Sequence, residues 1–126
     1  MAASVAYLND HLHEVPVLCV PMVAGRTDGQ GPGAQAERTG VFWQASRCGS
    51  VIPALWSFML ALRSRGLGSA WTTLSLLRER EVADVLGVPY DRWMQVGLFP
   101  IAHTIGTDFR PTPRRPAAEV MAWNTF

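Results

Sequence analysis

The feature that most limits how this chain can fold is residues 51–65, a run that is apolar on almost every side of a helix. One face carries Ile52, Leu55, Phe58, Met59 and Leu62, and Trp56, Leu60 and Ala61 widen it. A helix with so little polar surface has to be covered by other elements, so the run predicts a central, buried helix. Ser50 is the expected N-cap, Pro53 falls in the first turn, and Gly66 is placed to end the helix.

Length and charge exclude several classes of protein. The 126 residues fit one domain, and a hydrophobic fraction of 48% is too high for an intrinsically disordered chain. Basic side chains number 11 and acidic ones 10, so a net charge of +1 provides no strongly basic surface for nucleic acid or lipid headgroups. The apolar run over residues 51–62 is also too short to span a bilayer. We therefore expect neither nucleic acid nor a membrane among the partners.

The cysteines and the first residues indicate the compartment. Cys19 and Cys48 follow no metal-ligand spacing, so no metal site is predicted. The N-terminus leads into polar side chains instead of the apolar stretch of a secretory signal. The chain is therefore expected to be cytoplasmic, with reduced cysteines.

The remaining segments alternate between helical and strand patterns. Helices are predicted over residues 4–15, 77–86 and 117–123, and strands over residues 16–23, 68–73 and 94–104. Residues 24–45 are rich in Gly and polar side chains, which predicts a flexible Gly-rich loop, and residues 106–116 form a tail with Pro and Arg. This order predicts a layered domain of the α+β or α/β class.

Common catalytic patterns are missing from the sequence. It contains no Gly-rich phosphate loop that opens a helix and no nucleophile elbow. His11 and His13 are two residues apart, which places them on different faces of a helix, and nothing near His103 in sequence makes it a base. The catalytic residues are therefore unknown, and no side chain is named as an acid or a base.

Two segments carry candidate chemistry. Residues 66–73 form a tight exit from the central helix to a strand, where Trp71 suits either core packing or contact with a flat ring. Residues 110–116 form a loop stiffened by prolines, in which Arg114 and Arg115 are either an exposed basic turn or a grip for a phosphate. Composition alone favours core packing for Trp71 and an exposed basic turn for Arg114 and Arg115.

The order of these segments resembles the C-terminal part of the FMN-dependent nitroreductase family. The matching residues are 14–21, 50–73, 100–103 and 114–123, and the most specific piece is the central helix followed by Gly-Leu-Gly-x-x-Trp. The resemblance implies an α+β fold, a layered α/β/α arrangement around a central, mostly antiparallel sheet. Residues 1–126 then form the C-terminal part of one such domain, incomplete because family members carry an N-terminal part with an Arg-rich phosphate-binding motif. From this we expect weak or absent FMN binding by the isolated chain.

The resemblance also implies a function. Family members are typically homodimers that hold FMN at the subunit interface and pass electrons from NAD(P)H to nitroaromatics, quinones or similar acceptors. In the family, the strand exit after the central helix lies along the isoalloxazine ring of FMN. By position, this role falls here on Ala70, Trp71, Thr72 and Thr73.

Basic residues in the C-terminal tail of the family reach the FMN phosphate, a role that falls here on Arg114 or Arg115. Two alternatives stand beside this function. One is a flavin-consuming enzyme like dimethylbenzimidazole synthase. The other is a catalytically inactive fragment of the fold that binds a ligand or oligomerises.

Overall fold

The computed structural model describes residues 2–27, 33–106 and 108–124, and for residues 2 and 33–37 it describes the main chain only. Within this part of the chain the α-helices are α1 (Ala2–His11), α2 (Gly33–Arg63) and α3 (Glu79–Leu86). The strands are β1 (Val17–Cys19), β2 (Met22–Ala24), β3 (Leu67–Ser69), β4 (Trp93–Gln95) and β5 (Phe99–His103). Short 3-10 helices cover Leu12–Glu14, Leu74–Arg78 and Ala117–Glu119.

The strands form two antiparallel sheets. One sheet has the order β1-β5-β3, with Val17 opposite Ile101 and Gly68 opposite Ala102. The other sheet pairs β2 with β4. Helices and antiparallel sheets together make a mixed α+β fold, which confirms the predicted class.

Two of the predicted strands are each divided between the two sheets. The strand predicted over residues 16–23 is interrupted at Val20 and Pro21, and the one predicted over residues 94–104 is interrupted at residues 96–98. Pro21 has no N–H to give to a ladder, and its carbonyl oxygen accepts the amide of Val96 at 2.9 Å. Both segments therefore pass from one sheet to the other side by side, where the hydrogen bond between Val96 and Pro21 joins them.

The longest helix, α2, begins at Gly33, well before the predicted start at residue 51. The sequence predicted a flexible loop over residues 24–45, but residues 33–45 are helical. Residue 24, at the other end of the predicted loop, is the last residue of β2. Gly and Pro are concentrated at residues 29–33, whereas residues 34–45 contain good helix formers such as Ala, Gln, Glu and Arg. Residues 28–32 of the predicted loop lie outside the described residues.

Two residues expected near the start of this helix lie inside it. The Ser50 hydroxyl donates a hydrogen bond to the Arg47 carbonyl oxygen at 2.7 Å instead of capping a helix end. The helix also continues through Pro53. The predicted end is nearly right, because α2 stops at Arg63 and Gly66 adopts the left-handed conformation with a φ of +77°.

The other predicted helices differ mainly in length. The charged helix ends at Leu86 as α3, followed by Gly87 with a left-handed φ of +65°, and residues 74–78 before it form a 3-10 helix. The helix predicted over residues 4–15 becomes α1 and a 3-10 turn, and the one over residues 117–123 is a single 3-10 turn. In the first turn of α3, the main-chain amide of Glu81 and the Arg78 side chain lower the pKa of the Glu81 carboxyl.

The hydrophobic core lies between α2 and the three-stranded sheet. Phe99 of β5 is completely buried and packs with Leu55 of α2 and with Val96. The partly buried side chains around this cluster are Cys19, Val23, Val51, Ile52 and Met59. Removal of these apolar groups from water is the main favourable contribution to folding of the domain.

Much of α2 remains uncovered, in contrast to the predicted buried central helix. Trp56 is 60% exposed, although its neighbour Leu55 is buried in the core. The stretch Arg38–Arg63 has 26 residues and contains an 18-residue segment with a mean hydropathy of 1.3, of which 6% is buried, so by length and composition it could cross a membrane. The apolar run over residues 51–62 is therefore part of a longer helix than the sequence predicted.

An ion pair joins α3 to the two-stranded sheet. Arg26 follows β2, and its two terminal nitrogens bind the Glu79 carboxylate at 3.2 Å and 2.8 Å. The main-chain amide of Gln95 in β4 donates to the same carboxylate at 2.7 Å, and the Gln95 side chain donates to the Glu79 carbonyl oxygen at 2.9 Å. The side chains of Arg26 and Glu79 are 14% and 13% exposed, so water screens their attraction weakly.

Tyr90 adds to this cluster from the loop between α3 and β4. The guanidinium carbon of Arg26 lies 3.6 Å from the centre of the Tyr90 ring, and that of Arg80 lies 4.0 Å from it. Arg26 also donates to the carbonyl oxygens of Tyr90 and Trp93, both at 3.3 Å. These contacts hold the loop against α3.

Replacing Glu79 with Gln should lower the free energy of unfolding by about 1.5–3 kcal/mol, because the nearly buried Arg26 guanidinium would lose the carboxylate that binds its two terminal nitrogens. Urea unfolding of the purified chain measures this loss. Glu81→Gln is the matched control, since its carboxylate pairs with Arg78 at 3.0 Å on the exposed surface and should contribute little. Equal losses in the two variants would contradict the role of the ion pair.

Candidate functional site

The exit from α2 runs along the edge of the three-stranded sheet. β3 is an outer strand, and its line continues to Thr72, whose amide donates to Leu98 at 3.0 Å and whose carbonyl accepts from Leu98 at 2.8 Å. Antiparallel pairing alternates along a strand, so the main-chain groups of Trp71 point away from β5. The same pairing register directs the main-chain groups of Ser69 away from β5 as well. The N–H and C=O groups of Ser69 and Trp71 therefore line the free edge of the described sheet.

The side chains of this exit alternate between the two faces of the sheet. Trp71 lies opposite Phe99 and stacks on it, with ring centres 5.6 Å apart and an angle of 22° between the rings. The alternation places Ala70 and Thr72 on the other face. Trp71 is 41% exposed, whereas Phe99 is completely buried. One side of the indole thus covers the core while the rest of it faces solvent.

A groove of about 490 Å³ lies between the end of α2 and strands β3 and β5, and we refer to it as the α2 groove. Its lining residues are Val15, Trp56, Met59, Leu60, Arg63, Leu67, Gly68, Ser69, Ala70, Pro100, Ala102, His103, Thr104 and Phe109. The guanidinium carbon of Arg63 lies 4.6 Å from the centre of the Phe109 ring, which brings the start of the tail to this groove. Its volume and largely apolar lining are typical of small-molecule sites.

A second groove, of about 210 Å³, lies between α1 and the segment around Thr72. It is lined by Val5, Leu8, Asn9, Leu12, Thr72, Leu74, Ser75 and Leu98. The Ser75 hydroxyl is buried and has no hydrogen-bond partner among the described residues. The predicted site residues Ala70 and Thr72 therefore contribute to different grooves.

The other predicted site residues line neither groove. Thr73 is exposed, and its carbonyl oxygen accepts the amide of Leu76 at 3.0 Å. Arg114 and Arg115 are exposed in the tail, where Arg114 makes hydrogen bonds of 3.4 Å with neighbouring carbonyl oxygens. The structure thus groups residues 70–73 in one exit and leaves the two arginines in a separate segment.

Two features of this region were missed in the sequence. One is the contact of Arg63 with Phe109 at the α2 groove, which joins segments far apart in the chain. The other is Gly97, which lies beside the Trp71 indole. A signal for Gly97 was present, because a glycine inside a predicted strand often marks the close approach of another group.

The polar side chains of the described residues form no metal site. No group of three or more His, Cys, Asp or Glu side chains in this part of the chain is placed to hold a metal ion. His11 and His13 lie 2.9 Å and 3.8 Å from Glu14, on an exposed surface, and His103 lines the α2 groove.

Comparison with protein-family models gives a match to the Nitroreductase family over residues 2–103 of the 126-residue chain. The chain belongs to the nitroreductase family. Proteins of this family generally use flavin cofactors, and membership indicates an oxidoreductase type of function. No curated protein matches the chain. The matched region of this nitroreductase-family chain includes the strand exit, whereas Arg114 and Arg115 lie beyond it.

Proposed function

We propose that this nitroreductase-family chain is an FMN-dependent oxidoreductase that takes electrons from NAD(P)H and passes them to nitroaromatics, quinones or similar small acceptors. The observation that carries the proposal is the free edge at Ser69 and Trp71, which lies between an exposed indole and the apolar α2 groove. A flavin ring requires both kinds of surface, hydrogen-bonding groups for its polar rim and apolar cover for its faces.

The strand exit fits the ring of a flavin through its main chain. The N–H and C=O groups of Trp71 point outward together, so one residue offers a donor and an acceptor to the pyrimidine edge of a bound ring. Ala70 beside it has a small side chain, which leaves room for a flat ring to approach the backbone. When bound, the flavin supplies the redox chemistry, and the residues of the exit bind the ring, orient it and exclude water from one side.

For the FMN phosphate we propose Arg114 or Arg115. Both side chains are exposed, and the prolines around them restrict the conformations of the tail. A guanidinium forms short, charge-assisted hydrogen bonds with phosphate oxygens, each contributing about 1.5–3 kcal/mol. The tail begins beside the α2 groove, where Phe109 contacts Arg63.

We also propose that a second copy of the chain covers the exposed face of α2. Phe42, Trp56 and Leu60 share one side of the helix, because their spacings are close to whole numbers of turns at 3.6 residues per turn. Each of these side chains is more than half exposed. Exposed apolar patches of this kind mark interaction surfaces, and a twofold dimer would bring the same patch of both copies together.

Titration with FMN should quench the tryptophan fluorescence of the chain, and Trp71→Phe should remove most of that quenching, because Trp71 lies at the free edge. Trp123→Phe is the matched control, since Trp123 is 81% exposed in the tail and should not contribute. Quenching that survives Trp71→Phe would contradict the placement of the ring. A chain that binds no FMN, and whose added flavin is reduced by neither NADH nor NADPH, would contradict the function.

Replacing both Arg114 and Arg115 with Ala should weaken FMN binding at least about tenfold, through the loss of one or two charge-assisted contacts. Equilibrium titration followed by flavin fluorescence measures the change. Riboflavin has the same ring without the phosphate, so its affinity should be the same for the wild type and the variant. Arg110→Ala is the control in the same tail. An unchanged affinity for FMN in the double variant would assign the phosphate to other residues.

The wild-type chain should sediment at twice its mass of 13.8 kDa, and a variant with Phe42→Glu and Trp56→Glu should sediment as a monomer. The reason is that two charges on the α2 face would repel across a twofold contact and would lose their hydration there. Val85→Glu should remain dimeric, because this residue is 86% exposed on α3. A wild-type chain that is monomeric and floats with lipid vesicles would assign the face to a membrane instead.

A further inference from the structure

Gly97 lies where the Trp71 indole crosses the sheet. Along the chain it is two residues before Phe99, so both residues face the same side of the sheet as the indole. A Cβ on residue 97 would collide with Nε1 of Trp71, and would lie 2.9 Å from Cδ1 of the same ring and 3.0 Å from the Thr72 carbonyl oxygen. Real Cβ atoms essentially never come this close to a ring carbon. The observed position of the indole therefore requires glycine at residue 97.

The main chain on both sides of Gly97 is fixed. The Val96 amide donates to the Pro21 carbonyl oxygen at 2.9 Å, and the Leu98 amide donates to the Thr72 carbonyl oxygen at 2.8 Å. The side chains of Val96 and Leu98 are both buried. A shift of this strand would break hydrogen bonds and disturb the core, whereas the partly exposed indole can turn outward. An added Cβ would thus move the indole, in addition to causing the backbone strain of a side chain at a φ of +159°.

We propose that Gly97 is a positioning residue for the flavin site, because the absence of a side chain lets the Trp71 indole lie on Phe99 at the free edge. This inference rests on the proposed function, since the flavin is the ring that the indole would contact. Gly97 acts only through Trp71. With one face packed on Phe99, the indole is held in a single orientation and offers a fixed aromatic surface to a ligand at the edge.

The test replaces Gly97 with Ala in the full chain and measures two quantities, the emission of Trp71 and the affinity for FMN. The emission of Trp71 among the five tryptophans is the difference between each protein and its Trp71→Phe counterpart. We expect this emission to shift to the red and FMN binding to weaken up to about tenfold. Gly49→Ala is the matched control, because nothing lies within 4 Å of a Cβ there, and it should change neither quantity.

A second background separates loss of the indole position from a general loss of structure. In Trp71→Leu the colliding ring is absent, so adding Gly97→Ala should cost less FMN affinity than it does in the wild type. The strain of a side chain at a φ of +159° and the approach to the Thr72 carbonyl oxygen remain in both backgrounds. An equal loss of affinity in the two backgrounds would overturn the inference. If Gly97→Ala alone fails to fold, the double variant should fold, and failure of both would overturn the inference.

The remaining outcomes distinguish this inference from the proposed function. Unchanged Trp71 emission in a folded Gly97→Ala chain would overturn the inference, as would an unchanged affinity for FMN that the wild type does bind. A wild-type chain that binds no FMN would overturn the proposed function, and the role of Gly97 at a flavin site would fall with it.

Discussion

The pairing of β5 with both of its neighbours is the interaction on which the rest of the structure depends. β5 lies between β1 and β3, and its Phe99 is the completely buried centre of the core against α2. The ladder extends beyond β3 to Thr72 and Leu98, so the exit from α2 is held in register by β5. That register decides which groups of Trp71 face outward. A slip by one residue would exchange the two faces of the exit and would turn the Trp71 main chain inward.

The sequence predicted the fold class and the family, but several boundaries depend on contacts that local patterns do not contain. The turns at Gly66 and Gly87 were predictable, because a left-handed residue after a helix favours glycine. The start of α2 was not predictable. The glycines just before it favoured a loop over the helical residues that follow, and Pro53 is a residue type common in the first turn of a helix. The strand break at Pro21 is explained by a partner, the Val96 amide, that lies far away in the sequence.

The sequence indicated which segment forms the candidate site, but not how the side chains of that segment are arranged. The run from residue 70 to residue 73 could be chosen from the helix-to-strand exit, yet its side chains are divided between two faces by a register set with residues 98–103. The Arg26–Glu79 pair was hidden for the same reason, because two charged residues separated by 53 positions show no local spacing. Charge patterning reveals pairs three or four residues apart, such as Arg78 with Glu81, and these exposed contacts stabilise a fold the least.

Because one face of α2 is uncovered, the thermal stability of this chain depends on the molecules that bind to that face. Any molecule that binds the folded helix and not the unfolded chain shifts the folding equilibrium by mass action, so the melting temperature rises with the concentration of whatever covers Phe42, Trp56 and Leu60. At low concentration the same apolar face is open to chaperones and to misassembly. If a second copy covers this face as proposed, the lifetime of the chain in a cell would depend partly on how quickly the helix is covered after synthesis.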